Sequence, residues 1–169
     1  MTYHSRQPGP EVAHYFTVAL NRAGDDLLVL EIERLRQAVR LTRAERPFKI
    51  AAWVVLPDHL HTIWTLPAGD DDATARWRRI KTRFSTSLGQ AIGQSRRSCR
   101  MRGVWQRGFW HHRIGDAVEL ALHMRSCQMD PVRHGLVDDP AAWPYSSFRN
   151  PLALQSAGGG PCISAIARP

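Results

Sequence analysis

The sequence has few cysteines and no long apolar run. Cys99, Cys127 and Cys162 are widely spaced, odd in number and without a Cys-x-x-Cys pair. This pattern excludes a disulfide scaffold and a structural zinc ribbon, and it is typical of reduced thiols in a cytosolic protein. No apolar run approaches the roughly 20 residues that a membrane helix needs, and no charged-then-apolar leader stands near the N-terminus. We therefore expect a cytoplasmic protein without a membrane partner.

Acidic residues are scarce relative to basic ones. The 169 residues include 23 Lys plus Arg against 15 Asp plus Glu, so the formal net charge is +8. Only Lys49 and Lys81 are lysines, and arginine suits bidentate phosphate contacts better than lysine does. This excess of positive charge predicts a polyanionic partner, and nucleic acid is favoured over an acidic membrane surface. The length predicts one domain, and a DNA partner would make the protein nucleoid-associated.

The basic residues concentrate in one window that has no acid. Between Arg76 and Arg113 there are 11 basic residues and no Asp or Glu. Such a segment gains nothing from ion pairs along a helix and repels itself, so a phosphate-binding surface is preferred to an ordinary solvated face. Trp110 lies in the same window and is a candidate for stacking on unpaired bases. The alternative is that it packs in the core, as most Trp side chains do.

Two histidines follow a tight turn in the stretch from Lys49 to Pro67. Apolar runs on both sides of Pro57-Asp58 predict two adjacent strands. Because side chains alternate along a strand, His59 and His61 point to one face and Leu60 to the other. Two imidazoles on one face can share a divalent cation. The plainer interpretation is a pair of surface histidines beside a turn.

Hydrophobic periodicity predicts the other elements of the chain. They are a first strand from Val12, a helix at 27–41, a basic helix at 73–92, a strand at 103–114 and a helix at 117–129. Asp116 is expected to cap the last helix and Asp130-Pro131 to end it. The later segment AAWPYSSF is expected to pack back on the body.

This element order is close to a β-α-β-β-α-β plan, which predicts an α+β, ferredoxin-like antiparallel sheet with helices on one face. The basic helix and the helix after Asp116 are both expected on that face. Residues 1–11 are expected to be a flexible N-terminus and 150–169 a poorly ordered tail, which leaves 12–149 as the domain.

Five blocks of the sequence resemble one known family, the REP-associated tyrosine transposases, a branch of the HUH single-strand transposases. The blocks are PFKIAAWVVLPDHLHTIWTLPAGD, RWRRIKTRF, VWQRGFWHHRI, DPVRHGLV and WPYSSF, and the resemblance covers residues 12–149. It implies a ferredoxin-like fold and activity on single-stranded DNA beside short palindromic hairpins. It also implies that His59 and His61 bind a divalent metal, Mg²⁺ or Mn²⁺, which polarises the scissile phosphate. A tyrosine would attack that phosphate to give a 5′-phosphotyrosine link.

One position departs from the family pattern. The family's helix reads Tyr-Ile-His-x-Asn-Pro-Val, and its Tyr is the nucleophile; this chain reads Ser-Cys-Gln-Met-Asp-Pro-Val, with Ser126 at the Tyr position. A Ser hydroxyl is shorter and much less acidic than a phenol. Asp130 replaces the family's Asn on the same helix face as Ser126, so it could complete a metal site with His59 and His61. None of Tyr3, Tyr15 and Tyr145 aligns with the nucleophile position.

The leading interpretation is a transposase-family protein, monomeric or homodimeric, that binds single-stranded or hairpin DNA but has lost its strand-cleaving tyrosine. One alternative is a catalytically silent hairpin-binding module, a repressor or a domesticated protein. Another is phosphodiester hydrolysis by metal-activated water, which needs no tyrosine. The predicted DNA surface consists of Arg76, Arg78, Arg79, Lys81, Arg83, Arg107 and Arg133.

Overall fold

The computed structural model describes residues 12–91 and 103–149. In chain order its elements are β1 Ala13–Ala19, α1 Leu27–Leu30, α2 Ile32–Glu45, β2 Lys49–Val55, β3 His59–Thr65, α3 Ala73–Ala91, β4 Trp110–Arg113, α4 Ala117–Arg133 and a 3₁₀ turn Pro140–Ala142. The expectations for 1–11 and 150–169 lie outside the described residues. None of the described helices is both long and apolar enough to span a bilayer.

The four strands form one antiparallel sheet in the order β2-β3-β1-β4. In this sheet β1 pairs with β3 on one side and with β4 on the other, so Thr17 faces His61 and Tyr15 faces His112 across the ladders. This arrangement confirms the predicted α+β antiparallel fold. The register matters for function, because residues that face each other across a ladder share one side of the sheet.

The segment AAWPYSSF packs against the β2 edge of the sheet, as predicted. The Val55 N–H donates to the Tyr145 carbonyl at 2.9 Å and the Ser147 N–H donates to the Trp53 carbonyl at 2.8 Å. The indole N–H of Trp143 donates to the Val55 carbonyl at 2.8 Å. These bonds satisfy edge groups that would otherwise be open to pairing with another chain.

Each face of the sheet is covered by a different set of helices. On one face Phe16, Leu60 and Trp64 pack in a core cluster with α2 and α3, and Trp64 stacks on Trp77 of α3 with ring centroids 4.4 Å apart. On the other face Tyr15, Ala52, Val54 and Ile63 pack with Cys127 of α4. The expectation that α3 and the helix after Asp116 share a face is therefore wrong. The strands carry apolar residues on both faces of the sheet, and each face must be buried under helices.

Two predicted elements have different bounds because of local backbone constraints. The predicted helix at 27–41 is broken at Glu31 and then runs to Glu45, just before Pro47. Of the predicted strand at 103–114, only the last part is β4. Gly103 and Gly108 have φ of 106° and 80°, values that a β-strand does not adopt.

The last helix passes through its proline instead of ending there. Pro131 lies inside α4, which continues to Arg133, so the predicted end at Asp130-Pro131 is wrong. A proline near the C-terminus of a helix removes one ladder hydrogen bond but leaves little helix to disrupt. The carbonyl of Asp130 still accepts the His134 N–H at 3.0 Å. Because the helix continues past Pro131, Asp130 lies on the helix face that packs against the sheet.

The cysteine prediction is tested at one position. Cys127 is a free thiol with no solvent exposure, which agrees with reduced cysteines. Cys99 and Cys162 lie outside the described residues.

Candidate functional site

His59 and His61 begin β3 and face α4. Their rings are 5.0 Å apart between centroids, while Leu60 between them is fully buried in the core cluster under α2 and α3. The alternation predicted from the strand period is therefore correct. The ring of His134, just after α4, lies 4.9 Å from the His59 ring.

His59 is oriented by the aspartate that precedes it. Its Nδ1 lies 2.6 Å from Oδ1 of Asp58, and Oδ2 of Asp58 accepts the Gly24 N–H at 2.7 Å. Burial opposes ionisation of Asp58, yet the hydrogen bonds from Gly24 and His59 bring its pKa below the ordinary value. An ionised carboxylate at Nδ1 fixes the proton there and leaves Nε2 with a free lone pair.

His61 is oriented from β1. Its Nδ1 lies 2.8 Å from the Tyr15 hydroxyl and 2.9 Å from the Thr17 hydroxyl. Its Nε2 points the other way and lies 3.7 Å from Oδ2 of Asp130. Burial, with the nearby His59 and His134, lowers the pKa of His61 to about 3. The imidazole is therefore neutral at physiological pH, which is the form that binds a metal.

Asp130 brings a buried carboxylate to the two histidines. Its residue exposure is 7%, and burial raises its pKa although Arg133 partly counteracts this. Within residues 12–91 and 103–149, Oδ2 has no hydrogen-bond partner. A buried unpaired polar atom costs about 1–3 kcal/mol, so this oxygen favours a cation beside it. Two imidazoles and one carboxylate are ligand types that a divalent metal accepts, and Nε2 of His61 lies 3.7 Å from Oδ2 of Asp130. Within residues 12–91 and 103–149, however, the donor atoms of His59, His61 and Asp130 do not all lie within 4.8 Å of one another.

Ser126 lies one helical turn before Asp130 on the same side of α4. Its hydroxyl accepts a hydrogen bond from Nη1 of Arg133 at 2.8 Å, and the same nitrogen lies 3.4 Å from Oδ1 of Asp130. In the described part of the chain, no imidazole or carboxylate is hydrogen-bonded to Ser126. A serine nucleophile needs such a base to become reactive, and within the described residues none is hydrogen-bonded to this hydroxyl.

The two described tyrosines, Tyr15 and Tyr145, both make contacts within the fold. Tyr15 is 7% exposed, and burial raises the pKa of its hydroxyl, with a further contribution from the charge of Asp130. That hydroxyl lies 2.8 Å from Nδ1 of His61, whereas Asp130 lies beside Nε2. Tyr145 packs against Trp143 with ring centroids 5.3 Å apart. Sequence alone does not assign Tyr15 and Thr17 to this site, because their contact with His61 depends on the β1–β3 register.

The prediction that Arg76 belongs to a DNA surface is wrong. Its side chain is fully buried at the start of α3. Its two terminal nitrogens donate to the carboxylate of Asp70 at 3.0 and 2.7 Å, and Nη2 also donates to the Pro47 carbonyl at 2.9 Å. The guanidinium therefore connects the segment before α3 to the end of α2. Charge counting cannot distinguish this structural arginine from a surface one.

Two other predicted surface arginines are paired with an acid from outside the acid-free window. Arg79 donates to Glu45 of α2 at 2.6 Å, and Arg83 also donates to Glu45 and to the Thr42 hydroxyl. Their side chains are nevertheless 47% and 26% exposed. Both therefore keep some access to solvent while one carboxylate offsets part of their charge.

Lys81 holds the loop that leads into β4. Its ammonium donates to the carbonyl of Gln106 at 3.1 Å and to that of Gly108, and it lies 5.7 Å from the centre of the Trp105 ring. Burial lowers the pKa of Lys81 to about 8. Much of its hydrogen-bonding capacity is therefore used inside the fold.

The remaining predicted cations are open to solvent. Arg78 and Arg107 are exposed and form no ion pair with another described residue. Arg133 has 58% side-chain exposure and lies beside Ser126 and Asp130, so the structure brings it to the histidine site. Trp110 is 54% exposed, although its ring also stacks on His112 and packs edge-on against Tyr15. Because α3 covers the other face of the sheet, Arg78 lies away from the histidines.

One further cluster was not predicted from the sequence. His112 on β4 and Glu119 and His123 on α4 offer three donor atoms within 4.8 Å of one another. The i, i+4 spacing of the last two is visible in the sequence, but the contribution of β4 depends on the tertiary fold.

Comparisons with known proteins identify close relatives. The chain is 39% identical over 139 residues to the REP-associated tyrosine transposase of Escherichia coli strain K12, covering 82% of this chain and 78% of that protein. It is 35% identical over 145 residues to a putative REP-associated tyrosine transposase of Haemophilus influenzae, covering 84% and 82%. No protein-family model matches the chain.

Two solved structures are similar in fold. A REP-associated tyrosine transposase bound to a REP hairpin has a TM-score of 0.76 at 35% identity, with 99% of this chain and 98% of that chain covered. A putative transposase from Deinococcus radiodurans has a TM-score of 0.53 at 10% identity, covering 73% and 95% of the two chains. The second likeness concerns the fold alone.

Proposed function

Because this chain belongs to the family of REP-associated tyrosine transposases, we propose that it binds single-stranded DNA at palindromic repeat hairpins and is impaired in phosphotyrosine cleavage. The relative of known structure is bound to a REP hairpin, which supports DNA as the partner. The observation that carries the proposal is local: an oriented His59–His61–Asp130 set stands beside a helix position where the family's tyrosine is Ser126.

We propose that His59, His61 and Asp130 hold a divalent cation, Mg²⁺ or Mn²⁺. When bound, such a cation would supply Lewis-acid polarisation of a phosphate oxygen. The protein's contribution is orientation, since Asp58 fixes the tautomer of His59 and the hydroxyls from β1 fix the ring of His61. The unpaired Oδ2 of Asp130 supports this assignment. A carboxylate is also a harder ligand than the amide that the family pattern has here.

The impairment that we propose follows from the chemistry of Ser126. A phenol has a pKa of about 10, so its anion can attack a phosphate and later leave it. An aliphatic hydroxyl does neither without a base, and Ser126 instead accepts a hydrogen bond from Arg133. Strand cleavage and joining through this position are therefore not expected.

For DNA contact we propose the exposed or partly exposed cations of α3, the β4 approach and the end of α4. They are Arg78, Arg79, Lys81, Arg83, Arg107 and Arg133. Arg133 is the member nearest the histidines and is suited to hold a phosphate there. Contacts of this kind release counterions, so affinity should fall steeply with salt.

The proposal is tested by measuring binding of the purified protein to a hairpin-flanked single strand and to a scrambled strand of the same length, each at several salt concentrations. We expect a preference for the hairpin and a steep salt dependence of both affinities. Equal affinity for hairpin and scrambled DNA would contradict specific recognition.

A second candidate function is a catalytically silent hairpin-binding module, a repressor or a domesticated protein. The serine at the nucleophile position favours it, because a binding role needs neither tyrosine nor metal. It predicts that hairpin preference survives the double variant His59→Ala with His61→Ala. If binding itself needs the metal, the same variant loses the preference.

We also propose a cytoplasmic, nucleoid-associated location for a monomer or homodimer. The basic charge and the proposed DNA partner support the location. Size-exclusion chromatography with light scattering, with and without hairpin DNA, determines the oligomeric state.

A further inference from the structure

The second donor cluster, His112, Glu119 and His123, forms a compact and partly accessible group. All three side chains are half-buried, and their donor atoms lie within 4.8 Å of one another. Nε2 of His112 is 2.5 Å from Oε1 of Glu119, and the rings of His112 and His123 are 5.3 Å apart between centroids. We propose that this group, the β4–α4 cluster, binds Zn²⁺ or a similar first-row transition ion independently of the His59–His61 site.

Strand β4 and helix α4 position the three side chains in the absence of metal. Asp116 caps α4 by accepting the Glu119 N–H at 2.8 Å, and Glu119 Oε2 accepts the Gly115 N–H at 2.6 Å. Glu119 is thereby fixed in the first helical turn, and His123 follows one turn later on the same face. His112 is fixed by the pairing of β4 with β1. The donors thus come from a strand and a helix, which position ligands more firmly than loops do.

The ligand types of the β4–α4 cluster indicate which metal ions it would bind. Two imidazole nitrogens and one carboxylate are a three-ligand set that Zn²⁺ accepts with a fourth position left to water. Bonds of about 2.0–2.2 Å imply donor separations of about 3.3–3.5 Å in a tetrahedral site. The three donor atoms lie within 4.8 Å of one another, and the 2.5 Å between Nε2 of His112 and Oε1 of Glu119 is shorter than that value, so metal binding requires these two side chains to move apart.

A purely structural interpretation explains only part of the cluster. Helix capping accounts for Glu119, and its hydrogen bond accounts for His112. Ring packing accounts for the position of His123 but not for its nitrogens, which form no hydrogen bond with any residue in the described ranges. Its ring packs on Tyr15 with centroids 4.6 Å apart, which leaves its nitrogens available.

The cluster is close to the His59–His61 site but shares no ligand with it. Tyr15 separates the two, with its ring on His123 and its hydroxyl on His61. Variants of one site therefore leave the ligands of the other in place. The proposal does not depend on the DNA-binding function.

The test is a calorimetric titration of Zn²⁺ alone into metal-free protein. The variants are Glu119→Gln, His123→Gln, and His59→Ala with His61→Ala; Asp138→Asn, at an exposed carboxylate after α4, is the matched control. Glu119→Gln keeps an amide oxygen for the Gly115 N–H, and circular dichroism checks the fold of each variant.

We expect Glu119→Gln and His123→Gln each to weaken one Zn²⁺ binding event by at least about tenfold, as loss of a ligand does. The same event should persist in the His59/His61 double variant and in Asp138→Asn. Substituting Co²⁺ should give the visible absorption of a four- or five-coordinate ion, lost in His123→Gln. Zn²⁺ binding unchanged in both cluster variants, or lost entirely in the His59/His61 variant, would overturn the proposal.

Discussion

Asp130→Asn separates the proposed metal role of this side chain from its role in the fold. Burial raises the pKa of the Asp130 carboxyl above its ordinary value, so at neutral pH its charged form destabilises the folded protein. Without metal the asparagine variant should therefore be at least as stable as the wild type. The difference should vanish as pH falls and the wild-type carboxyl takes up its proton.

With metal the asparagine variant should be stabilised less than the wild type. An ion at 100 times its Kd stabilises the folded state by about 2.7 kcal/mol, which for a chain of 169 residues raises Tm by about 5–11 °C. If the amide weakens binding tenfold, the stabilisation falls to about 1.4 kcal/mol, so the metal-induced rise is roughly halved. The halved metal-induced rise, independent of the stability without metal, is therefore the signature of a lost ligand.

The assay is thermal unfolding with and without Mn²⁺, with all chains carrying Glu119→Gln so that the β4–α4 cluster does not contribute. Asp138→Asn, a change of the same kind at an exposed position, should keep the full metal-induced rise. His59→Ala with His61→Ala should abolish it. An undiminished rise in Asp130→Asn would refute the assignment of this carboxylate as a ligand.

Three further predictions concern other parts of the molecule. The hydrogen bond from Arg76 lowers the pKa of Asp70 from the ordinary 3.8 to about 2. The ion pair therefore contributes its whole stabilisation above pH 3.8, and this contribution is lost as the pH falls toward 2. After discounting for its 39% side-chain exposure, Asp70→Asn should cost about 1–2 kcal/mol in urea unfolding at pH 6 and little at pH 2; an equal cost at both pH values would contradict the ion pair. Arg78→Ala should weaken binding of hairpin and scrambled DNA alike and reduce the slope of log affinity against log salt by about one; an unchanged slope would remove Arg78 from the DNA surface. Tyr15→Phe should weaken Mn²⁺ binding by about 10–100-fold, as loss of an outer-shell partner of a ligand does, and an unchanged Kd would show that Thr17 alone orients His61.

Patterns local in sequence predicted the histidine half of the site. The two-residue strand period placed His59 and His61 together, and the i, i+4 step placed Asp130 on the face of Ser126. Both are short-range properties of a strand or a helix, so tertiary structure had only to bring the two elements together. In the folded chain β3 and α4 meet where His61 lies 3.7 Å from Asp130.

What depends on pairing between distant segments could not be read from the sequence. Arg76 looked like part of a basic surface because Asp70 and the Pro47 carbonyl reach it only in the folded chain. Glu45 offsets Arg79 across the α2–α3 contact for the same reason. The face on which the last helix packs also had no local indicator, since β1–β3 carry apolar residues on both sides.

The central claim, that phosphotyrosine chemistry is lost with the tyrosine, is tested most directly by a covalent-adduct assay. Wild-type protein is incubated with Mg²⁺ or Mn²⁺ and a 3′-labelled, hairpin-flanked single strand, and the products are separated on a denaturing protein gel. We expect no labelled protein band and intact DNA. A labelled band, with the attachment mapped by mass spectrometry to Ser126, Tyr15 or Tyr145, would contradict the claim and identify the residue that replaces the missing nucleophile.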